Sequence, residues 1–143
     1  MIDPDLVIRK ITLITADLSA LAPLARKNLE EYLASSTDEI LVERYLERII
    51  GRMIDINYHV ITEAGHAPPR DYYESFTQLA KLQILTPAFA SQLAACAGLR
   101  NRIVHEYDEI DPQRVYEGLQ AAVRDIPEYL RHIHQHLQRF PAR

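Results

Sequence analysis

The segment Arg100-Asn101-Arg102-Ile103-Val104-His105-Glu106-Tyr107 places a guanidinium, an imidazole and a phenol within about two helical turns. Arginine always carries charge and offers a planar fork of donors that fits a phosphate. Histidine gives or takes a proton near neutral pH. Together they supply what metal-free cleavage of a phosphodiester needs: charge stabilisation on the phosphate oxygens and proton transfer at the attacking or leaving oxygen. Asn101 adds an amide that can hold an imidazole tautomer or a phosphate by hydrogen bonding. On an ideal helix Arg100 and His105 lie roughly 140° apart, whereas Asn101 and His105, at i,i+4, share a face. The expected site is therefore a cleft edge beside a fraying helix end. A purely structural reading of the same residues stays open, with Arg100 paired to Glu106 or Asp108 and His105 capping the negative end of its helix.

These side chains need a scaffold, and 143 residues suffice for one domain, 1–143, with a real core. Apolar residues make up 48% and charged residues 25%, which argues against disorder. Glycine is sparse, Trp is absent, and Leu, Ile, Ala, Glu and Arg fill long periodic stretches, so the expected fold class is all-α. Asp3-Pro4, Thr86-Pro87 and Asp111-Pro112 each set a capping oxygen before a Pro whose missing N–H is harmless at the first helical position. Ser36-Thr37-Asp38-Glu39 and Asp71-Tyr72-Tyr73-Glu74 read as capping boxes. The result is an antiparallel bundle of about five helices. The first runs from Pro4 to Ala34, kinked or split at Pro23, and the second from Asp38 to Ala64, ending at Gly65. The second carries Leu46, Ile49, Ile50, Met53, Val60 and Ile61 at helical spacing and is expected at the centre of the core. The others span Tyr72 to Ile84, Pro87 to Tyr107 and Pro112 to Phe140, with a kink at Pro127.

A net charge of −4 excludes a broad basic surface, so any RNA contact must be local or supplied by a symmetric partner. The lone Cys96 forms no internal disulfide and reads as a small core residue. No apolar run approaches membrane-spanning length and the start carries no signal-peptide pattern, which points to the cytoplasm. His132 and His136 share a helix face, but no carboxylate or Cys completes a metal site with them and His134. They are read as a solvated face; His59 and His66 as surface or cap residues. Asp55 is either on the polar face or turned towards the cleft to orient Arg100. Tyr72 and Tyr73 either stack on bases or pack.

The segment resembles the Arg-x4-6-His signature of the HEPN superfamily, and its longer form, Arg-x4-His-x-Tyr, is similar to the HepT branch. Glu43-Arg44-Tyr45-Leu46, Ile54-Asp55-Ile56-Asn57, Gly65, Tyr73-Glu74-Ser75-Phe76 with Leu79, and Leu99-Arg100-Asn101 through Tyr107 follow the HepT pattern in order, over roughly residues 38–112. The resemblance implies a metal-independent endoribonuclease, the toxin of a HepT/MntA type VII-like toxin–antitoxin module. It implies Arg100 and His105 as catalytic residues, Asn101, Arg102 and Asp55 in support, and no metal or cofactor. The implied partners are RNA, a second copy of the chain, and an MntA-like nucleotidyltransferase antitoxin, in a homodimer or larger hetero-oligomer. Two copies of the motif helix would present two Arg and two His to one RNA strand and gather Arg100 and Arg102 into a basic groove. Tyr107 is implied as the acceptor of AMP groups from the antitoxin; structure alone makes it a half-buried aromatic at a helix end. Two other functions stay open: a catalytically silent HEPN module that binds nucleotide or RNA or scaffolds a dimer, and a plain helical interaction protein.

Overall fold

The structure, a computed structural model describing residues 1–139, consists of helices α1 (Pro4–Ala25), α2 (Leu29–Leu33), α3 (Ser36–Glu63), α4 (Tyr72–Lys81), α5 (Pro87–His105) and α6 (Pro112–Gln138). Among the described residues there is no strand. Every helix starts where a short polar side chain meets orphaned backbone N–H groups. Asp3 accepts from the N–H of Asp5 and Leu6, Thr86 from that of Phe89, and Asp111 from that of Gln113. All three precede a proline, as the sequence predicts.

Six helices replace the expected five because the first expected helix divides. Pro23 sits in the last turn of α1, where it offers no N–H to continue the ladder, and the helix ends two residues later. The chain restarts at Asn28, whose side chain accepts from Glu31 N–H while Glu31 accepts from Asn28 N–H. The two expected capping boxes are each altered. Ser35, one residue earlier than read, caps α3 by accepting from Asp38 N–H at 3.2 Å. The Asp38 carboxylate, in the position a reciprocal glutamate would occupy, is held by Lys27 instead. Asp71 caps α4, yet Glu74 reaches past it to the Arg70 backbone N–H and guanidinium. Helices α4 and α5 end at Lys81 and His105, earlier than read, while α6 runs through Pro127. The expected end at Phe140 lies outside the described residues.

Helix α3 packs against α1, α4, α5 and α6, so its place at the centre of the core is as expected. Leu46, Ile49, Ile50, Met53, Val60 and Ile61 are fully buried, and each such side chain stabilises the fold by roughly 1.5–3 kcal/mol relative to exposure. Gly65, with φ of 88°, turns the chain out of α3 in a conformation other residues adopt at a cost. One buried polar chain fixes three helices relative to one another. The Tyr129 hydroxyl on α6 donates to Asn57 Oδ1 at 2.6 Å, Asn57 Nδ2 donates to Ser75 Oγ at 3.2 Å, and Ser75 Oγ donates to the Tyr72 carbonyl at 2.7 Å. It ends on the first residue of α4, so the placement of Tyr72 is set from the core. On the α1 side, buried Asp17 accepts ion pairs from Arg48 at 3.2 Å and Arg52 at 2.8 Å.

Candidate active site

Helix α5 carries the chemistry and stops within it. Its last residue is His105; Glu106 leaves helical geometry (φ −120°, ψ 28°) while still donating its N–H to the Arg102 carbonyl at 2.8 Å. A turn closed by Glu109 N–H to the Glu106 carbonyl, at 2.8 Å, leads to the Asp111 cap of α6. The short loop therefore projects Tyr107 between two capped helix ends. Asn101, His105 and Tyr107 are all exposed, Tyr107 at 69%, which removes the half-buried reading of that ring.

Arg100 points elsewhere. Its guanidinium lies over the Tyr72 ring, 5.3 Å from the centroid, in a cavity of about 340 Å³ lined by Gly51, Ile54, Asp55, Tyr58, Tyr72 and Arg100 itself. Among the described residues it forms no ion pair with Glu106, Asp108 or any other carboxylate, and its Nε is buried with no hydrogen-bond partner. The pairing expected of a purely structural arginine is thus not made. Asp55 reaches the same cavity, but its carboxylate is bonded to Lys10 at 2.8 Å. It shares a wall with Arg100 and is held by a different cation.

Arg102 is separated from Arg100 because two residues advance roughly 200° around a helix. It lines a different groove, of about 560 Å³ between α5 and α6, with Cys96, Leu99, Arg114, Gly118 and Asp125. Within one chain the two arginines form no common basic surface. Its Nε is also buried without a partner among the described residues. Gly118 admits this packing: a Cβ there would fall 2.4 Å from Leu99 Cδ2. Half-buried Cys96 has its thiol pushed up to about 12 by burial, with the Asp125 carboxylate adding to the rise. At neutral pH it is an inert thiol. His132 packs on Phe89 at 5.9 Å and lies 3.8 Å from Glu128, and burial holds His136 below the usual imidazole range. No group of three or more His, Cys, Asp or Glu able to hold a metal occurs among the described residues.

The sequence reading passed over Gly51 and Tyr58. Their signal was present, since Gly51, Ile54, Asp55 and Tyr58 follow i, i+3, i+4, i+7 spacing on α3 and so share a face. A glycine inside a long helix is destabilising by roughly 0.5–1 kcal/mol relative to alanine. A Cβ on Gly51 would stand 3.5 Å from Arg100 Nε, an ordinary contact, so a methyl fits. Gly51→Ala is expected to raise Tm by about 2–4 °C in thermal denaturation. A fall in Tm would mean that α3 and α5 are closer here than described.

Six helices with an Arg-x4-His end to α5 place the chain among HEPN-type helical domains. A solved structure of a tri-AMPylated Shewanella oneidensis HEPN toxin in complex with MNT antitoxin is similar at a TM-score of 0.82 and 25% identity, covering 92% of this chain and 98% of that one. The Bacillus subtilis cytosolic protein YutE, of unknown function, shares the fold at a TM-score of 0.86 with 15% identity, covering 99% and 96%. The chain belongs to the HepT-like ribonuclease family: the family model described as "Ribonuclease HepT-like" matches residues 7–133. The match takes in most of α1 and of α6, beyond the residues 38–112 over which the sequence resembles the HepT pattern. The tRNA nuclease HepT of Aphanizomenon flos-aquae is 38% identical over 136 residues, 95% of this chain and 92% of that protein. The mRNA nuclease HepT of Shewanella oneidensis is 29% identical over 85 residues, 59% of this chain and 64% of that one. No helix among the described residues is long and apolar enough to cross a membrane.

Proposed function

We propose that the chain is a metal-independent endoribonuclease, the toxin of a toxin–antitoxin pair, silenced by an MntA-like nucleotidyltransferase that adds AMP to Tyr107. The observation that carries the reading is the state of Arg100: a cation inside a cavity, with no carboxylate claiming it among the described residues, five positions before an exposed His105. A half-buried arginine kept for structure, with its Nε shut off from water as here, ordinarily finds a carboxylate or carbonyl partner. One left open can accept a ligand's anion.

In this mechanism His105 takes the proton from a ribose 2′-OH, or gives one to the departing 5′ oxygen. The 2′ oxygen bonds to phosphorus as the P–O5′ bond breaks, leaving a 2′,3′-cyclic phosphate and a 5′-OH. Arg100 stabilises the charge that gathers on the phosphate oxygens. Asn101, exposed on the same face as His105, holds the imidazole or the phosphate. Arg102 supports RNA from the neighbouring groove. Because Arg100 and His105 face different directions on one helix, a homodimer supplies the complementary groups to one strand. The scarcity of net positive charge also favours two copies over one.

The test is incubation of the purified protein with RNA and with a DNA of the same sequence, each with and without EDTA. RNA cut in both conditions, DNA left whole, and 2′,3′-cyclic phosphate ends are expected. Cleavage abolished by EDTA, or DNA cut equally well, overturns the metal-independent 2′-OH mechanism. Light scattering on the same preparation is expected to give about twice the 16.5 kDa chain mass.

A further inference from the structure

An aromatic face and an open space flank the Arg100 guanidinium, and among the described residues no carboxylate neutralises it. Gly51, whose missing side chain leaves the cavity open, lies beside Arg100 Nε, and the face of Tyr72 stands 5.3 Å from the guanidinium carbon. The nearby Asp55 carboxylate is bonded to Lys10. This choice of partner has a chemical consequence. A carboxylate would satisfy the guanidinium fork and compete with an incoming phosphate. An aromatic face attracts the cation through its quadrupole and leaves the in-plane N–H donors open.

Tyr72 is itself held. As the first residue of α4, it has its carbonyl bonded by Ser75 Oγ, at the end of the buried chain through Asn57 to Tyr129. Its ring meets that of Tyr58 edge to face, at 6.3 Å between centroids and 78° between planes. Tyr58 thus braces Tyr72 by its edge and Tyr72 faces Arg100, all three lining a cavity of about 340 Å³. Such a frame fixes a cation's direction without consuming its charge.

We propose that this cavity is the phosphate subsite for RNA, with Arg100 as its cation and Tyr72 as the positioning residue that aims the guanidinium. The inference rests on the RNA-cleaving reading above and adds a residue and a place to it.

The experiment measures single-turnover cleavage at saturating RNA, and binding of a fully 2′-O-methylated, uncleavable RNA across a salt series. Tyr72→Leu keeps an apolar side chain but removes the ring; it is expected to slow cleavage by about 3- to 30-fold. Tyr72→Phe keeps the ring and should stay within about twofold of wild type. Losing one phosphate contact should lower the slope of log affinity against log salt by about 0.7 in both Tyr72→Leu and Arg100→Ala. A ring that merely packs would not change that slope. Gly51→Leu, a good helix former that fills the cavity from α3, is expected to reproduce both effects without altering Tyr72. A Tyr72→Leu protein with wild-type rate and salt slope overturns the proposal, as does a Tyr72→Phe protein as impaired as Tyr72→Leu. If Tyr72→Leu is unaffected while His105→Ala is inactive, the subsite falls and the nuclease reading stands. If the wild type cuts no RNA, the nuclease reading falls and the salt slope alone decides the role of Tyr72.

Discussion

His105→Ala is expected to lower the rate of RNA cleavage by about 10²- to 10⁴-fold, the usual worth of a positioned general acid or base, with no loss of helicity. The structure motivates both halves. His105 is the exposed last residue of α5, apart from the buried cluster that holds the bundle together. Arg100→Ala is expected to cost about 10²- to 10³-fold through lost charge stabilisation. Its stability effect should stay within about 2 kcal/mol, because the described partner of the guanidinium is one aromatic face. If the two groups act on one transition state, the double variant should be scarcely slower than the worse single variant. Cleavage rates and circular dichroism are read together for all three proteins. Full activity in either single variant sinks the assigned chemistry, and loss of helical signal in both would return the motif to a structural role.

The parts of the fold legible in the sequence depend on neighbours a few positions away. Asp3-Pro4, Thr86-Pro87 and Asp111-Pro112 declare helix starts because cap and proline act on the local backbone, and each is found in place. The Asn28–Glu31 capping box was equally local; it passed unread because the apolar pattern on both sides fits one long helix. The box shifted to Ser35 and the one found in place at Asp71 both depend on more than the cap itself. In each, a cation, Lys27 or Arg70, draws away the carboxylate that the motif assigns to the backbone. Helical periodicity alone foretold that Arg100 and His105 face apart. What it could not foretell is what each would meet. Tyr72 precedes Arg100 by 28 positions, and the two join only because α4 packs on α5 while the Asn57 network fixes the start of α4. Lys10 claims Asp55 from 45 positions away, through the packing of α1 on α3.

Co-expression with a nucleotidyltransferase partner, ATP and Mg²⁺ is expected to add one or more AMP units to Tyr107 and silence cleavage, whereas Tyr107→Phe should gain no mass and stay toxic. The reason for choosing this phenol among the eight tyrosines is access. Tyr107 stands 69% exposed on the turn after α5, against 54% for Tyr73 and 39% for Tyr72, while Tyr32 and Tyr129 are buried. Burial also pushes the Tyr32 and Tyr129 hydroxyls well above the usual phenol range, which opposes their use as nucleophiles. The reaction joins the Tyr107 oxygen to the α-phosphorus of ATP and expels pyrophosphate. Each added unit brings roughly one negative charge to within two residues of His105. That charge competes with RNA phosphate for the few local cations, Arg100 and Arg102, on a chain whose net charge is already −4. Intact-mass spectrometry reads the modification, and RNA cleavage by the same samples reads its effect. A mass gain that persists in Tyr107→Phe would move the acceptor elsewhere. A gain confined to wild type that leaves cleavage at full rate would separate the modification from control.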